Sequence, residues 1–275
     1  MRPEAQPPAP ASAGPDRSER FPAAGWSDDG VLGGRLRLLQ PRRGHRFGHD
    51  AVLLAAATPG AAGEHAVELG AGVGAAGLAL ARRVPGLRTT LVEIDPDLAA
   101  AAAENAARNG LADRVAALRL DVAAPASAWA SAGLPAGSAD RVLANPPFND
   151  SKTRSASPDP ERRRAHVAGA ALLDTWIAAA ARLLRPGGTL SLIWPADGLA
   201  EVLERIAGRF GSVALLPVHG KAGQPAIRVL VRATRDGRAP LVLWPGLVLN
   251  DAAGRPAAEA EAVLRAGEAL PLAGA

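Results

Sequence analysis

Asn145, Pro146, Pro147 and Phe148, in RVLANPPFND, place hydrogen-bond acceptors and a flat ring in a row. The prolines fix their own φ angles, lack amide donors and push the preceding residue out of the α region, so the four residues form a stiff extended corner. Such a corner can merely end a strand, but it also suits one kind of chemistry. An amino group conjugated to an aromatic ring or a carbonyl is a poor nucleophile, because its lone pair is delocalised. Two acceptors aimed at its hydrogens, the Asn145 side-chain oxygen and the Pro146 carbonyl, pull it toward a tetrahedral geometry and localise that pair. Phe148 can stack on the flat group that carries the amine, in a chain with four phenylalanines and no tyrosine. No strong base is required, since an alkylated amine acidifies and loses its proton to water; alignment supplies most of the rate.

A second constellation could hold the electrophile. In VELGAGVGAAG, residues 67–77, Gly72, Gly74 and Gly77 satisfy G-x-G-x-x-G, and Glu93 ends the next strand-like segment. That is close to the spacing of about 20 residues expected of a ribose-binding acid. These features fit a nicotinamide dinucleotide, and S-adenosylmethionine equally well. With the latter, the glycines let the backbone approach the methionine part, whose carboxylate suits a helix N-terminus, and the acid still grips ribose hydroxyls. Glu68 favours S-adenosylmethionine, because an acid beside the cofactor suits an ammonium group and repels a pyrophosphate. So does position, since dinucleotide folds often begin near the chain start and this loop comes only at residue 67. A tight turn with no ligand is the plain alternative. Asp121, ending RVAALRLD, is the analogous residue on the following strand, where it either accepts from an adenine amino group or caps the loop entry.

The elements around these residues alternate. HAVEL leads into the glycine turn and the helix AAGLALARRV; RTTLVEI leads into DPDLAAAAAENAARNG, a helix closed by Gly110. RVAALRL and ADRVLAN are further strands, and the helix VAGAALLDTWIAAAARLL stops at Arg185-Pro-Gly-Gly before GTLSLIW. Strand–helix alternation predicts a parallel sheet covered on both faces. After a helix near 198–208, SVALLPVH and AIRVLVRA are separated only by GKAGQP, which predicts an antiparallel hairpin at the sheet's edge. GGRLRLLQPRRG predicts a short strand or hairpin upstream, and Asp50 suits the N-cap of a helix over AVLLAAA. The expectation is therefore an α/β fold: a doubly wound, mostly parallel seven-stranded sheet with an antiparallel edge hairpin and a short N-terminal β extension. A disordered arm is expected over 1–28, one domain over 29–248, and over 249–275 a tail whose helix packs on the outside.

Composition excludes some chemistry. There is no cysteine, so disulfides, thiolate metal sites and a cysteine nucleophile are ruled out. The five histidines, His45, His49, His65, His166 and His219, lack the pairing of a metal site on one helix, and no metal is expected. No stretch approaches the roughly 20 apolar residues that span a bilayer, and the first residues lack the apolar core of a signal peptide, so a cytoplasmic location is expected, with no membrane partner. A net charge of +4 and a pI near 10.7 would favour a polyanionic partner, though an arginine-rich composition alone also yields basic enzymes.

VELGAGVG, VEID and NPPF, in this order, resemble the class I S-adenosylmethionine-dependent methyltransferases (Rossmann-like) that modify amino nitrogens. LGGRLRLLQPRRGHRFGHDAVLLAAA, GQPAIRVLVRA and the tail are similar to the bacterial tRNA (adenine-N6)-methyltransferases that act on valine tRNA. The resemblance implies S-adenosyl-L-methionine as cofactor, bound by Gly70, Gly72 and Glu93, with Glu68, Gly74, Asp121 and Asn145 beside it. It implies an adenine held at Asn145, Pro146, Pro147 and Phe148. Asp50 would line the cofactor pocket or cap its helix. Many adenine-specific relatives carry tyrosine where this chain has Phe148; phenylalanine also occurs in guanine N2-methyltransferases of ribosomal RNA. Protein glutamine N5-methyltransferases share the asparagine–proline–proline–aromatic corner, but the helical substrate-binding domain expected upstream is not evident. A nicotinamide-dependent oxidoreductase and a non-catalytic RNA-binding module are the alternatives of other classes. An RNA substrate, most simply a tRNA, would meet Lys152, Arg154, Arg162, Arg163 and Arg164 in the polar segment SKTRSASPDPERRRAH, or that segment is a solvated loop. Lys221 and Arg228 would extend the basic surface, or be an ordinary turn lysine and strand-edge arginine. RNA would be met by shape and charge, with one flipped base reaching Phe148.

Overall fold

The structure, a computed structural model, describes residues 20–44, 46–148 and 160–274, with side chains left undescribed over 160–170. The strands are β1 (Trp26–Val31), β2 (Leu36–Pro41), β3 (His65–Leu69), β4 (Arg88–Glu93), β5 (Val115–Arg119), β6 (Ala139–Ala144), β7 (Leu184–Pro195), β8 (Phe210–His219), β9 (Ala226–Arg235), β10 (Val242–Leu243) and β11 (Leu247–Val248). The helices are α1 (His49–Ala57), α2 (Ala75–Arg83), α3 (Pro96–Arg108), α4 (Ala126–Ser131), α5 (Pro160–Leu183), α6 (Leu199–Ile206), α7 (Ala258–Ala266) and α8 (Pro271–Gly274).

The seven long strands run in the order β8-β9-β7-β6-β3-β4-β5, parallel except for the antiparallel β9. The order doubles back between β3 and β6. In a doubly wound sheet that reversal opens a crevice at the carboxyl ends of the two strands, the usual place for a ligand. The expected seven-stranded sheet is thus present, extended to nine by two-residue strands β10 and β11 laid parallel on β8. The strand order corrects the expected position of Arg228: β9 lies between β7 and β8, so Arg228 is on an interior strand.

Side chains alternate across each strand, and the core divides accordingly. Leu91 and Leu143 face the cluster formed with α1, α2 and α3, whereas Val92, Val142 and Ala144 face the one formed with α4 and α5. Neighbouring residues therefore serve opposite layers, which is why these strands read as continuous apolar runs. Asp95 caps α3, its side chain accepting from the backbone N–H groups of Asp97 and Leu98, with Pro96 in the first turn.

Three boundaries differ from expectation. β1 starts at Trp26, inside the segment expected as an arm, and pairs with β2 in a separate antiparallel ribbon. α5 begins at Pro160, so Arg162, Arg163 and Arg164 stand on a helix, not in a loop. The tail enters the core: Val263, Leu270 and Leu272 are buried with α1, and the Leu270 N–H donates to the Ala56 carbonyl. Among the described residues no helix is long and apolar enough to cross a membrane.

Candidate active site

β3 and β6 are in register, with Leu69 opposite Ala144, so Gly70 and Asn145 leave the sheet side by side at the crevice. Each strand ends because its next residue cannot continue it. Gly70 turns into the left-handed region at φ +60°, and Asn145 precedes two prolines. β4 contributes the third wall, with Val92 opposite Leu69 and Glu93 following.

The glycines have different tasks. A Cβ on Gly70 would lie 2.2 Å from the Trp176 indole of α5, and one on Gly74 would lie 2.7 Å from Leu91 Cδ1, so these two permit close packing. Gly72, at φ +56°, faces open space. It is the member of the loop whose backbone a ligand can approach. Its N–H donates to Glu93 Oε2 at 2.7 Å, while Glu93 Oε1 accepts from Asp95 N–H at 2.9 Å. Ile94, next in the chain, is 58% exposed, a flat apolar surface beside that carboxylate which the sequence reading passed over.

Glu68 faces the interior of the fold. It is buried beneath the loop, where its Oε2 accepts from Gly77 N–H at 2.6 Å in the first turn of α2. Burial pushes its carboxyl up to about 8; the Gly77 N–H opposes this and the Glu93 charge adds to it. Asp121 is exposed, and its Oδ1 accepts from Ala123 N–H at 2.8 Å, the local bond of a loop-entry cap.

At the NPPF corner, Pro146 is buried, Pro147 is exposed and Asn145 is half-buried. Asn145 Oδ1 is shielded from water, and among the described residues it has no hydrogen-bond partner. A buried acceptor left unmatched costs about 1–3 kcal/mol, so a donor from a ligand would be welcome there. Phe148 meets Trp194 of β7 edge-on, with centroids 5.7 Å apart and planes at 73°. The Arg228 guanidinium lies 4.7 Å over the Phe148 ring, and Arg228 Nε donates to Asp50 Oδ2 at 2.9 Å. Asp50 is therefore not a helix cap: Gly48 holds that position in α1, and Asp50 is engaged by β9. Lys152 and Arg154 lie outside the described residues, as do the side chains of Arg162, Arg163 and Arg164. Among the described residues no group of three or more histidines and carboxylates is placed to hold a metal ion.

One side of the crevice thus offers open glycine backbone and a carboxylate at the end of the next strand, suited to a nucleoside-bearing cofactor. The other offers an unmatched amide oxygen on a corner whose backbone two prolines stiffen. This fold, with a glycine-rich turn after β3 and the NPPF corner after β6, is that of a class I S-adenosyl-L-methionine-dependent methyltransferase. Residues 46–221 match the family model of the methyltransferase small domain, and the chain belongs to that family. A tRNA1(Val) (adenine(37)-N6)-methyltransferase of Porphyromonas gingivalis is 34% identical over 182 residues, 62% of this chain and 69% of the relative. A release factor glutamine methyltransferase of Chlorobaculum tepidum is 29% identical over 161 residues, 56% and 53% of the two chains. The crystal structure of a predicted O-methyltransferase from Agrobacterium tumefaciens superposes with a TM-score of 0.67 at 28% identity, covering 80% of this chain and 97% of that one.

Proposed function

We propose that this chain methylates the exocyclic N6 amine of an adenine in RNA, with a tRNA as the RNA and the cytoplasm as the setting. The observation that carries the reading is Asn145 Oδ1, an unmatched acceptor at the end of β6, next to the strand that carries the glycine loop.

Gly72 backbone, Glu93 and the exposed face of Ile94 would hold the cofactor, with Gly70 and Gly74 shaping the loop around it. When bound, S-adenosyl-L-methionine supplies an electrophilic methyl group on a sulfonium. Asn145 Oδ1 and the Pro146 carbonyl accept from the two amine hydrogens and draw the nitrogen toward tetrahedral geometry, so that its lone pair becomes available. Pro146 and Pro147 stiffen the backbone that carries both acceptors. Phe148 limits the tilt of the base. The methylated nitrogen, now cationic, releases its proton to water. Lys152, Arg154, Arg162, Arg163 and Arg164 would meet RNA phosphates, each contact steepening the salt dependence of binding.

The choice of adenine leans on the N6-methyltransferase relative; the corner itself suits any conjugated amine. A glutamine amide poses the same electronic problem, and the glutamine methyltransferase relative makes it the second reading. Labelled cofactor offered with total tRNA, ribosomal RNA or release factor, followed by nucleoside mass spectrometry, separates them. Label recovered as N6-methyladenosine from tRNA is expected. Label in N2-methylguanosine or in protein would overturn the reading. Asn145→Ala should lower kcat by about 10²–10³-fold, the loss seen when one preorganised hydrogen-bonding group is removed, while S-adenosylhomocysteine binds as before.

A further inference from the structure

Residues 145–148 form no strand, and the prolines fix only the backbone. The orientation of the Phe148 ring must come from what touches it. Trp194 is paired with Val229, and both face the α4/α5 layer. Arg228, paired with Pro195 one step along, projects by alternation to the opposite layer, where α1 carries Asp50. Phe148 thus spans the end of the sheet, with an indole from one layer at its edge and a guanidinium from the other over its face.

Arg228 is itself held at three points. Its Nε donates to Asp50 Oδ2 at 2.9 Å, an NH group donates to the Ile227 carbonyl at 3.0 Å, and its Cζ lies over the Phe148 ring, 4.7 Å from the centroid. A solvated arginine reaching for phosphate would not be tied down in this way. We propose that the Asp50–Arg228 pair is a positioning device for the acceptor corner, clamping Phe148 so that the ring sets the plane in which the substrate's conjugated amine is presented to Asn145 and Pro146. Arg228 acts through Phe148 and touches neither reacting atom. The inference rests on the proposed amine methylation for its catalytic consequence, but its structural premise can be read without any substrate.

The chain has four phenylalanines, so 4-fluorophenylalanine labelling gives a simple ¹⁹F spectrum, with Phe148 assigned by Phe148→Leu. In Arg228→Met and in Asp50→Asn, the Phe148 resonance should move toward the free amino-acid position and sharpen, while Phe47 and Phe210 stay unchanged. An unmoved Phe148 resonance in Arg228→Met overturns the clamp, whatever the substrate proves to be. With the RNA that the wild type methylates, Arg228→Met should lower kcat about tenfold, the scale of a partly desolvated cation–π contact, with the RNA KM unchanged. Arg228→Lys, which keeps the charge but not the plane, should rescue little. The double variant with Asp50→Asn should be no worse than Arg228→Met alone. A raised KM with a shallower salt slope and full rescue by lysine would make Arg228 a phosphate contact and sink the proposal. Failure of the wild type to methylate any RNA would refute the functional reading and leave the resonance test to judge the clamp.

Discussion

The backbone N–H of Gly72 and the carboxylate of Glu93 meet at 2.7 Å, so the acid that ends β4 also fixes the shape of the loop that follows β3. Its second oxygen takes the Asp95 N–H, at the cap of α3. One side chain therefore sets the spacing between two walls of the crevice in which the cofactor is proposed to bind. Hydrogen bonds to a charged group are worth about 1.5–3 kcal/mol each. Glu93→Ala should raise the dissociation constant of S-adenosylhomocysteine at least tenfold by calorimetry and lower the melting temperature; Glu93→Gln should do less of both. Unchanged binding in Glu93→Ala would remove this residue from the cofactor site.

Gly77 sets two known effects against each other. Alanine is a better helix former by about 1 kcal/mol, so an unconstrained site in α2 would gain from Gly77→Ala. Here a Cβ would stand 2.3 Å from Leu91 Cδ2 and 2.7 Å from Glu68 Oε2. Overpacking of this kind costs about 1–3 kcal/mol, and net destabilisation is expected. Urea unfolding should show a lower midpoint with the slope unchanged. A raised midpoint would mean that α2 does not press on β3 and β4 as described.

Glu68 gives the fold a pH dependence with a definite sign. Its carboxyl is pushed up to about 8 in the folded protein, from an ordinary value of 4.5, because burial disfavours the charge. Between those values the folded state holds a proton that the unfolded state has lost, so this group's contribution to stability is full below pH 4.5 and is lost as pH rises through about 8. Wild type should show a falling urea midpoint across that window, and Glu68→Gln, which cannot ionise, a flatter one. Parallel profiles for the two proteins would place the ionised carboxylate comfortably against the α2 N-terminus.

What was legible in the sequence follows from what local pattern encodes. Gly70, Gly72, Glu93 and Asn145 stand out because backbone conformation and strand ends restrict residue choice, and the structure brings all four to one crevice. Glu68 was visible as an acid near the loop, but which way it faces depends on strand alternation seen in three dimensions, and it faces inward. Asp50 looked like a cap because capping is a local signal; its partner Arg228 is 178 residues away, and no spacing rule reaches that far. The helix start at Pro160 was missed because PERRRAH carries charge where the apolar periodicity of a core helix was sought. β10 and β11 were missed because two-residue strands have no pattern of their own and exist only through pairing with β8.

Asn105 and Asn109, inside ENAARNG, join the N-terminal ribbon to the central fold. Asn105 Oδ1 accepts from Leu39 N–H at 2.7 Å and its Nδ2 donates to the Leu39 carbonyl at 3.0 Å; Asn109 makes the same two bonds to Arg37 at 2.9 and 2.8 Å. The match is geometric: two residues along a strand rise about 6.8 Å and four along a helix about 6.0 Å, so the amides of Asn105 in α3 and of Asn109 at its C-cap serve the free edge of β2 as a neighbouring strand would. Asn105 is fully buried and also donates to the Val73 carbonyl at 3.0 Å, inside the glycine loop. Asn105→Ala leaves three buried backbone groups unmatched and should cost on the order of 3 kcal/mol, whereas the more exposed Asn109→Ala should cost about 1 kcal/mol. The two should also differ in function. Only Asn105→Ala should weaken S-adenosylhomocysteine binding, because only Asn105 reaches the loop. Equal binding losses in both variants, at a temperature where each is folded, would show that the ribbon acts on the cofactor site by a route other than Val73.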